Sequence, residues 1–285
     1  MEESKVGSVI LGDQIARVLK SANYKYPEGS IVFGKFGWTT HTILKPHDEG
    51  WNHQNPLHSI YLLPDLKKKP ISYALGVLGI PGNTAYFGLL DILKPKPRET
   101  VAVSAAAGCV GSLVGQIAKI KECKVVGFTS SQEKCEYLVR VLGFDYAFNY
   151  NSSDLSQQLK TTLPNGIDCY FDSVGGKLTN TILEHMNHFG RIAVGGCISL
   201  YNNCAESAIA PITHPKLLSK ELKVEGFNVH RWNKSWADGI QQNLDWLREG
   251  KLIYNETISL GFENIPKAFI DMMNDENIGE SIVKV

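Results

Sequence analysis

The chain has 285 residues, 43% apolar and 20% charged, with 29 Lys and Arg balancing 29 Asp and Glu. Such a balance leaves no global field to draw in nucleic acid or anionic lipid, and no apolar run reaches the ~20 residues a membrane helix requires. The length suits one large globular domain or two ordinary ones.

The opening MEESKVGSVILGDQ is acidic, and its apolar stretch is short and broken, unlike a signal peptide. Six cysteines (Cys109, Cys123, Cys135, Cys169, Cys197, Cys204) lie without Cys-x-x-Cys spacing. Together these features predict a cytoplasmic protein whose cysteines are reduced and serve as small buried hydrophobes. Residues 15–20 (IARVLK) and 30–43 (SIVFGKFGWTTHTI) read as β-like pieces between turn clusters. A long polar loop follows at 45–58, then a charged, proline-bounded connector at 63–70.

From residue 100 strand and helix alternate. TVAVSAA (100–106) reads as a buried strand, and Val110, Leu113, Val114, Ile117 and Ala118 recur at helical spacing. Further strands are expected at 124–130, 146–150, 167–174, 190–196 and 222–229, with helices at 131–143, 154–163, 178–186 and 235–250. Six strands with interposed helices predict an α/β fold, a doubly wound parallel sheet of the Rossmann type. The tail from 251 gives a strand, a helix and a last strand, expected to return to the N-terminal β region. The predicted division is therefore 79–250 for the nucleotide-binding domain, with 1–78 and 251–285 forming the other.

The turn after the first of these strands carries Ala105-x-x-Gly108-x-x-Gly111 instead of the G-x-G-x-x-G fingerprint. In strand–turn–helix context it still gathers free backbone N–H groups and a helix dipole at a point that favours a pyrophosphate. Gly108 and Gly111 are expected to admit the phosphates, and Gly115 to let the helix pack on the sheet. Where a carboxylate would favour NAD, the second strand ends in Thr129, Ser130 and Ser131, with Lys134 beyond. A cation there suits the 2′-phosphate of NADPH; the competing reading is a solvated helix lysine beside Glu133. No G-x-S-x-G elbow or G-x-x-x-x-G-K-[ST] loop occurs. His185 and His188 are read as neighbours on one helix without a third ligand, and His41 as a lone histidine on a β segment, so no metal site is expected.

IPGNTAYFGLLDI, followed by ETVAVSAAAGCVGSLVGQIAKIKECKVVGFTSSQEK, resembles the zinc-independent medium-chain dehydrogenases/reductases. FNY, DCYFDSVGG, FGRIAVGGCISLYN, EGKL and GFENIPKAFIDMM narrow the resemblance to the prostaglandin reductases. It implies a Rossmann domain joined to a GroES-like β-rich catalytic domain. It also implies NADPH-dependent reduction of the carbon–carbon double bond of α,β-unsaturated ketones and aldehydes, 15-oxo-prostaglandins and 2-alkenals among them. Carried onto matching positions, Gly108, Cys109, Val110 and Gly111 form the pyrophosphate turn, Lys134 binds the 2′-phosphate and Tyr150 lies on the adenosine side. Gly195, Gly196, Cys197, Ile198, Ser199, Leu200 and Tyr201 pass under the nicotinamide ribose. Phe227, Asn228 and Val229 reach the carboxamide through their backbone, and Asn277 contacts the cofactor from the tail.

There are departures from the family pattern. An opening segment of the β-rich domain has no counterpart, so that domain is expected to be truncated. Ser173 stands where the family has asparagine, and Ser219 where it has a tyrosine proposed to stabilise the enolate. With that tyrosine missing, the donor candidates are the nicotinamide ribose hydroxyl, Tyr201 and His230, and no catalytic residue is assigned. Two other readings stand beside enone reduction: quinone reduction on the same nucleotide domain, and NADPH binding without turnover. The segments 183–196 and 223–229 offer a sheet edge for a homodimer.

Overall fold

Val101, Ala102 and Val103 are fully buried, which explains why this run shows no polar alternation: it is a central strand covered on both faces. In the computed structural model, which describes residues 6–45, 60–201 and 214–285, the nucleotide-type sheet has six parallel strands. They are β4 (Thr100–Val103), β5 (Lys124–Thr129), β6 (Tyr146–Asn149), β7 (Ile167–Asp172), β8 (Met186–Val194) and β9 (Lys223–Gly226). Their spatial order, β6-β5-β4-β7-β8-β9, reverses between β4 and β7.

Side chains alternate across the pleat into two cores. Val101, Val103, Val125, Cys169 and Phe171 enter one, with residues of α1 (Ile80–Phe87), α2 (Cys109–Ile120) and α7 (Trp236–Arg248). Ala102, Val126 and Tyr170 enter the other, with residues of α4 (Leu155–Thr162) and α5 (Gly176–Glu184). α3 (Gln132–Arg140) links β5 to β6, and α6 (His214–Ser219) precedes β9. α1 runs on into a π turn, Gly88–Leu93. Arg191 of β8 closes that turn, with Nε donating to Leu93 O at 3.0 Å while its guanidinium pairs with Glu99.

The N-terminal sheet is small: β1 (Gln14–Arg17), β2 (Ile31–Gly34) and β3 (Ile60–Leu62), antiparallel around Tyr26, Val32 and Ile60. β3 was not expected from the sequence, and the 30–43 run supplies only the four residues of β2. His41 lies outside any strand, exposed, with Nδ1 3.3 Å from Thr40 Oγ1. The polar loop predicted at 45–58 falls, apart from Lys45, outside the described residues, as does Cys204.

Two placements differ in detail from the expectation. The tail does return to the N-terminal region, but its strands β10 (Glu256–Leu260) and β11 (Glu280–Lys284) pair in parallel with each other, joined by α8 (Ile265–Met273), and among the described residues add no strand to the N-terminal sheet. They touch that region through side chains, Phe269 against Trp38 at 5.9 Å, and Ser72 Oγ donating to Glu256 at 2.9 Å. β8 also begins at Met186, so His185 ends α5 while His188 stands on a strand. The left-handed Phe189 (φ 61°) and the register shift opposite Ile167 and Cys169 break the alternation that would have announced those residues. His185 Nε2 instead meets Ser156 Oγ at 3.0 Å.

Gly115 packs on a ring and not on the sheet. A Cβ there would stand 1.9 Å from Phe144 Cζ. Gly115→Ala is expected to lower unfolding stability by about 1–3 kcal/mol, and Phe144→Leu in the same chain to recover part of it. Urea unfolding of the three proteins checks this; an undiminished midpoint for Gly115→Ala would contradict the packing argument.

Candidate functional site

All six parallel strands end at one edge, and the reversal between β4 and β7 opens a crevice there. The turn after β4 passes through Ala105, held at φ 47°, before Gly108 starts α2 with φ −79° and ψ 177°. Gly108 gives the helix no side-chain cap, so first-turn N–H groups face outward for want of intrahelical partners. A Cβ on Gly108 would meet only Ala105 O, at 3.2 Å, and otherwise fill open space. Gly111 differs: it is buried, and its Cβ would stand 2.4 Å from the same carbonyl. A side chain there would push the helix off the turn, so packing alone already requires glycine at this position. Cys109 and Val110 are half-buried and pack against the core.

At the end of β5, Ser131 Oγ caps α3 by accepting from Lys134 N at 3.2 Å. Lys134 is only 5% exposed, which excludes the solvated-helix reading. Its Nζ donates to the main-chain O of Asp275 and, at 2.7 Å, to Asp275 Oδ1. Tyr150 stands beside this pair; burial and the nearby Asp275 raise its phenol above the ordinary range.

Across the crevice, Asp172 is 2% exposed and organises the turn after β7. Its Oδ1 accepts from Val174 N at 3.0 Å, Gly175 N at 2.8 Å and Tyr170 Oη at 2.9 Å, and its Oδ2 from Thr179 Oγ1 at 2.6 Å. The Asp172 carbonyl accepts from Gly195 N at 2.8 Å. Ser173 is tied by its backbone, its N donating to Ser104 Oγ at 2.9 Å and its O accepting from Ile198 N at 3.1 Å. Ser199 Oγ donates to Val174 O at 2.6 Å, so the 195–201 segment, including Cys197 and the turn Ile198–Leu200, lies along the β7 turn. Tyr201 is 44% exposed, and its hydroxyl lies close to Gly196. After β9, the Phe227 ring meets Phe171 and Trp232, Val229 is buried, and Asn228 Oδ1 accepts from His230 N at 3.0 Å. Those side chains are occupied by packing or capping. Ser219, by contrast, precedes β9 and so lies near the opposite edge of the sheet, exposed, its hydroxyl turned back to Lys216 O at 3.4 Å.

The tail completes the site in a way the sequence did not announce. Gly279 N donates to Ala107 O at 2.8 Å, bridging β11 to the Gly108 turn, and Asn277 Nδ2 stiffens that bridge by donating to Gly279 O at 2.8 Å. Beneath the turn, Glu256 and Glu280 stand side by side in the β10–β11 register. Glu256 Oε1 and Glu280 Oε2 are buried without hydrogen-bond partners. The Cys109 thiol points inward, 4.0 Å from the Tyr254 hydroxyl; burial and Glu280 push it well above its ordinary range, so it is a neutral packing group and no nucleophile. Burial, opposed in part by a hydrogen bond with Cys109 and reinforced by Glu256, pushes the Glu280 carboxyl up to about 7. No group of three or more His, Cys, Asp or Glu side chains among the described residues could hold a metal ion.

The sign of this linkage is definite. Folded Glu280 keeps its proton to about pH 7, whereas its ordinary value is 4.5, so the native state binds the extra proton between those limits. Stability is therefore expected to fall as pH rises through that window, by about 3 kcal/mol in full. Glu280→Gln should flatten the fall, as read from urea midpoints between pH 5 and 8. An equally steep profile in the variant would show that other groups carry it.

Comparison with known proteins agrees with this geometry. The chain matches the family described as zinc-binding dehydrogenase over residues 109–246, and that described as N-terminal domain of oxidoreductase over 1–50. It is 46% identical to prostaglandin reductase 1 of Bos taurus over 283 residues, 98% of this chain and 82% of the relative. It is 38% identical to the NADP(+)-dependent 2-alkenal reductase of Nicotiana tabacum, covering 100% of this chain and 80% of that one. Among solved structures, CurA from Vibrio vulnificus in complex with NADPH superposes with a TM-score of 0.88 at 34% identity, over 100% of this chain and 82% of that one. The chain belongs to the prostaglandin reductase branch of the medium-chain dehydrogenase/reductase superfamily.

Proposed function

We propose that this protein is an oxidoreductase that reduces the carbon–carbon double bond of α,β-unsaturated ketones and aldehydes with NADPH, with 2-alkenals and 15-oxo-prostaglandins as its substrate class. The observation that carries the reading is Lys134, a nearly buried cation at the end of the second strand, where an NAD-specific site would place a carboxylate. The relatives support it by name, as a prostaglandin reductase and an alkenal reductase.

The residues fit the cofactor. Gly108 leaves open the space that a side chain would fill, beside the first-turn N–H groups of α2. These receive the pyrophosphate; Gly111 holds the helix in place behind them. Lys134 takes the 2′-phosphate, with Tyr150 on the adenosine side. Ser173 and residues 195–201 support the nicotinamide ribose, and the backbone of 227–229 meets the carboxamide while the Phe227 and Val229 side chains stay in the core. Asn277 acts from the tail by shaping the Gly279 bridge.

When bound, NADPH supplies the hydride that ends on the β-carbon of the enone, and a proton then completes the α-carbon. The chain's own task is to orient the enone and offer a hydrogen bond to its carbonyl oxygen, where negative charge develops. Tyr201, exposed beside Gly196, is one donor in position to do so. His230, near enough to Asp13 of the N-terminal segment to interact with its charge, is a second candidate, and the nicotinamide ribose hydroxyl a third.

Incubation with NADPH and a 2-alkenal should yield the saturated aldehyde, whereas formation of the allylic alcohol would contradict the reading. Gly108 has a backbone conformation open to any residue, so Gly108→Val should fold and yet lose dinucleotide binding by calorimetry. Lys134→Ala should weaken NADPH by about 1.5–3 kcal/mol and leave NADH nearly unchanged. Equal losses for both cofactors would remove Lys134 from the 2′-phosphate.

A further inference from the structure

Asp275 sits where the chain has reason not to place an aspartate. α8 ends in a Schellman arrangement: Glu276 N donates to Asp271 O at 2.9 Å and Asp275 N to Met272 O at 3.0 Å. The residue at the bend takes the left-handed conformation, φ 59° for Asp275, a position that glycine fills at least cost. Its carboxylate reaches outside its own helix, to Lys134 Nζ at 2.7 Å, and the main-chain oxygen of the same residue accepts from that Nζ. The lysine is nearly buried and the aspartate side chain is 44% exposed. The pair therefore has an inner cation fixed by its surroundings and an outer anion open to solvent.

A buried ammonium without a counter-charge is strongly destabilising. Asp275 supplies the counter-charge while no phosphate is present. A 2′-phosphate offers the same nitrogen more charge and three acceptor oxygens, but it must first separate the carboxylate from it, and it then faces that carboxylate as a like charge. A cofactor lacking the 2′-phosphate has no such contest.

We propose that Asp275 is a specificity-setting residue: an internal anion that stands on Lys134 in place of the 2′-phosphate and narrows the margin by which this chain prefers NADPH to NADH. The proposal rests on Lys134 being the 2′-phosphate ligand. It assigns the tail a part in cofactor choice. Tyr150 belongs to the same exchange, since the Asp275 carboxylate lies close enough to raise its phenol and leaves that hydroxyl to the incoming ligand when it swings out.

The test uses 2′,5′-ADP, NADPH and NADH as calorimetric ligands for the full chain and for Asp275→Gly, Asp275→Asn, Lys134→Ala and the Lys134→Ala/Asp275→Gly pair. Glycine suits the left-handed bend, and asparagine keeps the shape while removing the charge. Both Asp275 variants should bind 2′,5′-ADP and NADPH about three- to tenfold more tightly, with NADH unchanged. Without ligand they should melt at lower temperature than the parent, and 2′,5′-ADP should raise their melting temperature by more. In the double variant the gain should vanish. If Asp275→Gly and Asp275→Asn bind 2′,5′-ADP no more tightly while Lys134→Ala still binds it weakly, Asp275 is only a tail anchor and the proposal fails alone. A loss of NADH affinity in the Asp275 variants would overturn it too, by making the carboxylate a ribose ligand. If Lys134→Ala leaves 2′,5′-ADP affinity intact, the underlying assignment of Lys134 is what has failed.

Discussion

The crevice is held in shape by one buried carboxylate. Asp172 closes β7, and its two side-chain oxygens gather the backbone of Val174 and Gly175 with the hydroxyls of Tyr170 and Thr179, while Ser104 lies 3.4 Å away. Ser104 belongs to the turn after β4, Thr179 to α5, and the Asp172 main chain takes Gly195 at the end of β8. Three strand ends and a helix thus share a single anion that cannot leave, because it is out of reach of water and saturated with donors. Preorganisation on this side of the crevice follows from that. The turns there do not need to be stiff by themselves; each is tied to a common post.

The adenosine end is built on the opposite plan. Lys134 is a fixed cation whose partner comes from a distant, half-exposed turn, and the Gly108 turn is completed by a single backbone bridge from Gly279. Where Asp172 is satisfied permanently, Lys134 is satisfied exchangeably. That difference suits a dinucleotide that must be released after each turnover while the surface for the reacting ring stays in place.

Much of this was legible because the parallel sheet writes itself in short, fully apolar runs: Val101–Val103, Val125–Val126 and Cys169–Phe171 could belong to little else once helices with a 3.6-residue repeat lay between them. The glycine turn and Lys134 were legible as residue types at fixed places after two strands. What stayed hidden depended on contacts between residues far apart in the chain. Asp275 reads as an ordinary helix-end residue until the tail is folded back on α3. The neighbouring Glu256 and Glu280 are two dozen residues apart in sequence and become a pair only through the β10–β11 register. Gly108, Gly111 and Gly115 look alike in sequence, and only the space beyond each Cα distinguishes them: open at Gly108, a carbonyl at Gly111 and a phenyl ring at Gly115. The N-terminal sheet was the least legible, its strands being short and its core, among the described residues, a small cluster around Tyr26, Val32 and Ile60.

The Gly279 bridge gives the protein a natural reporter. Its amide donates to Ala107 O, in the turn that precedes α2, so that one N–H can exchange with solvent only when tail and turn part. Glycine amides resonate apart from most others, and this one lies just before the last strand, where isotope can be introduced by joining a short synthetic segment. The opening rate of the phosphate turn can thus be timed from the C-terminal end of the chain, without placing a probe in the crevice itself.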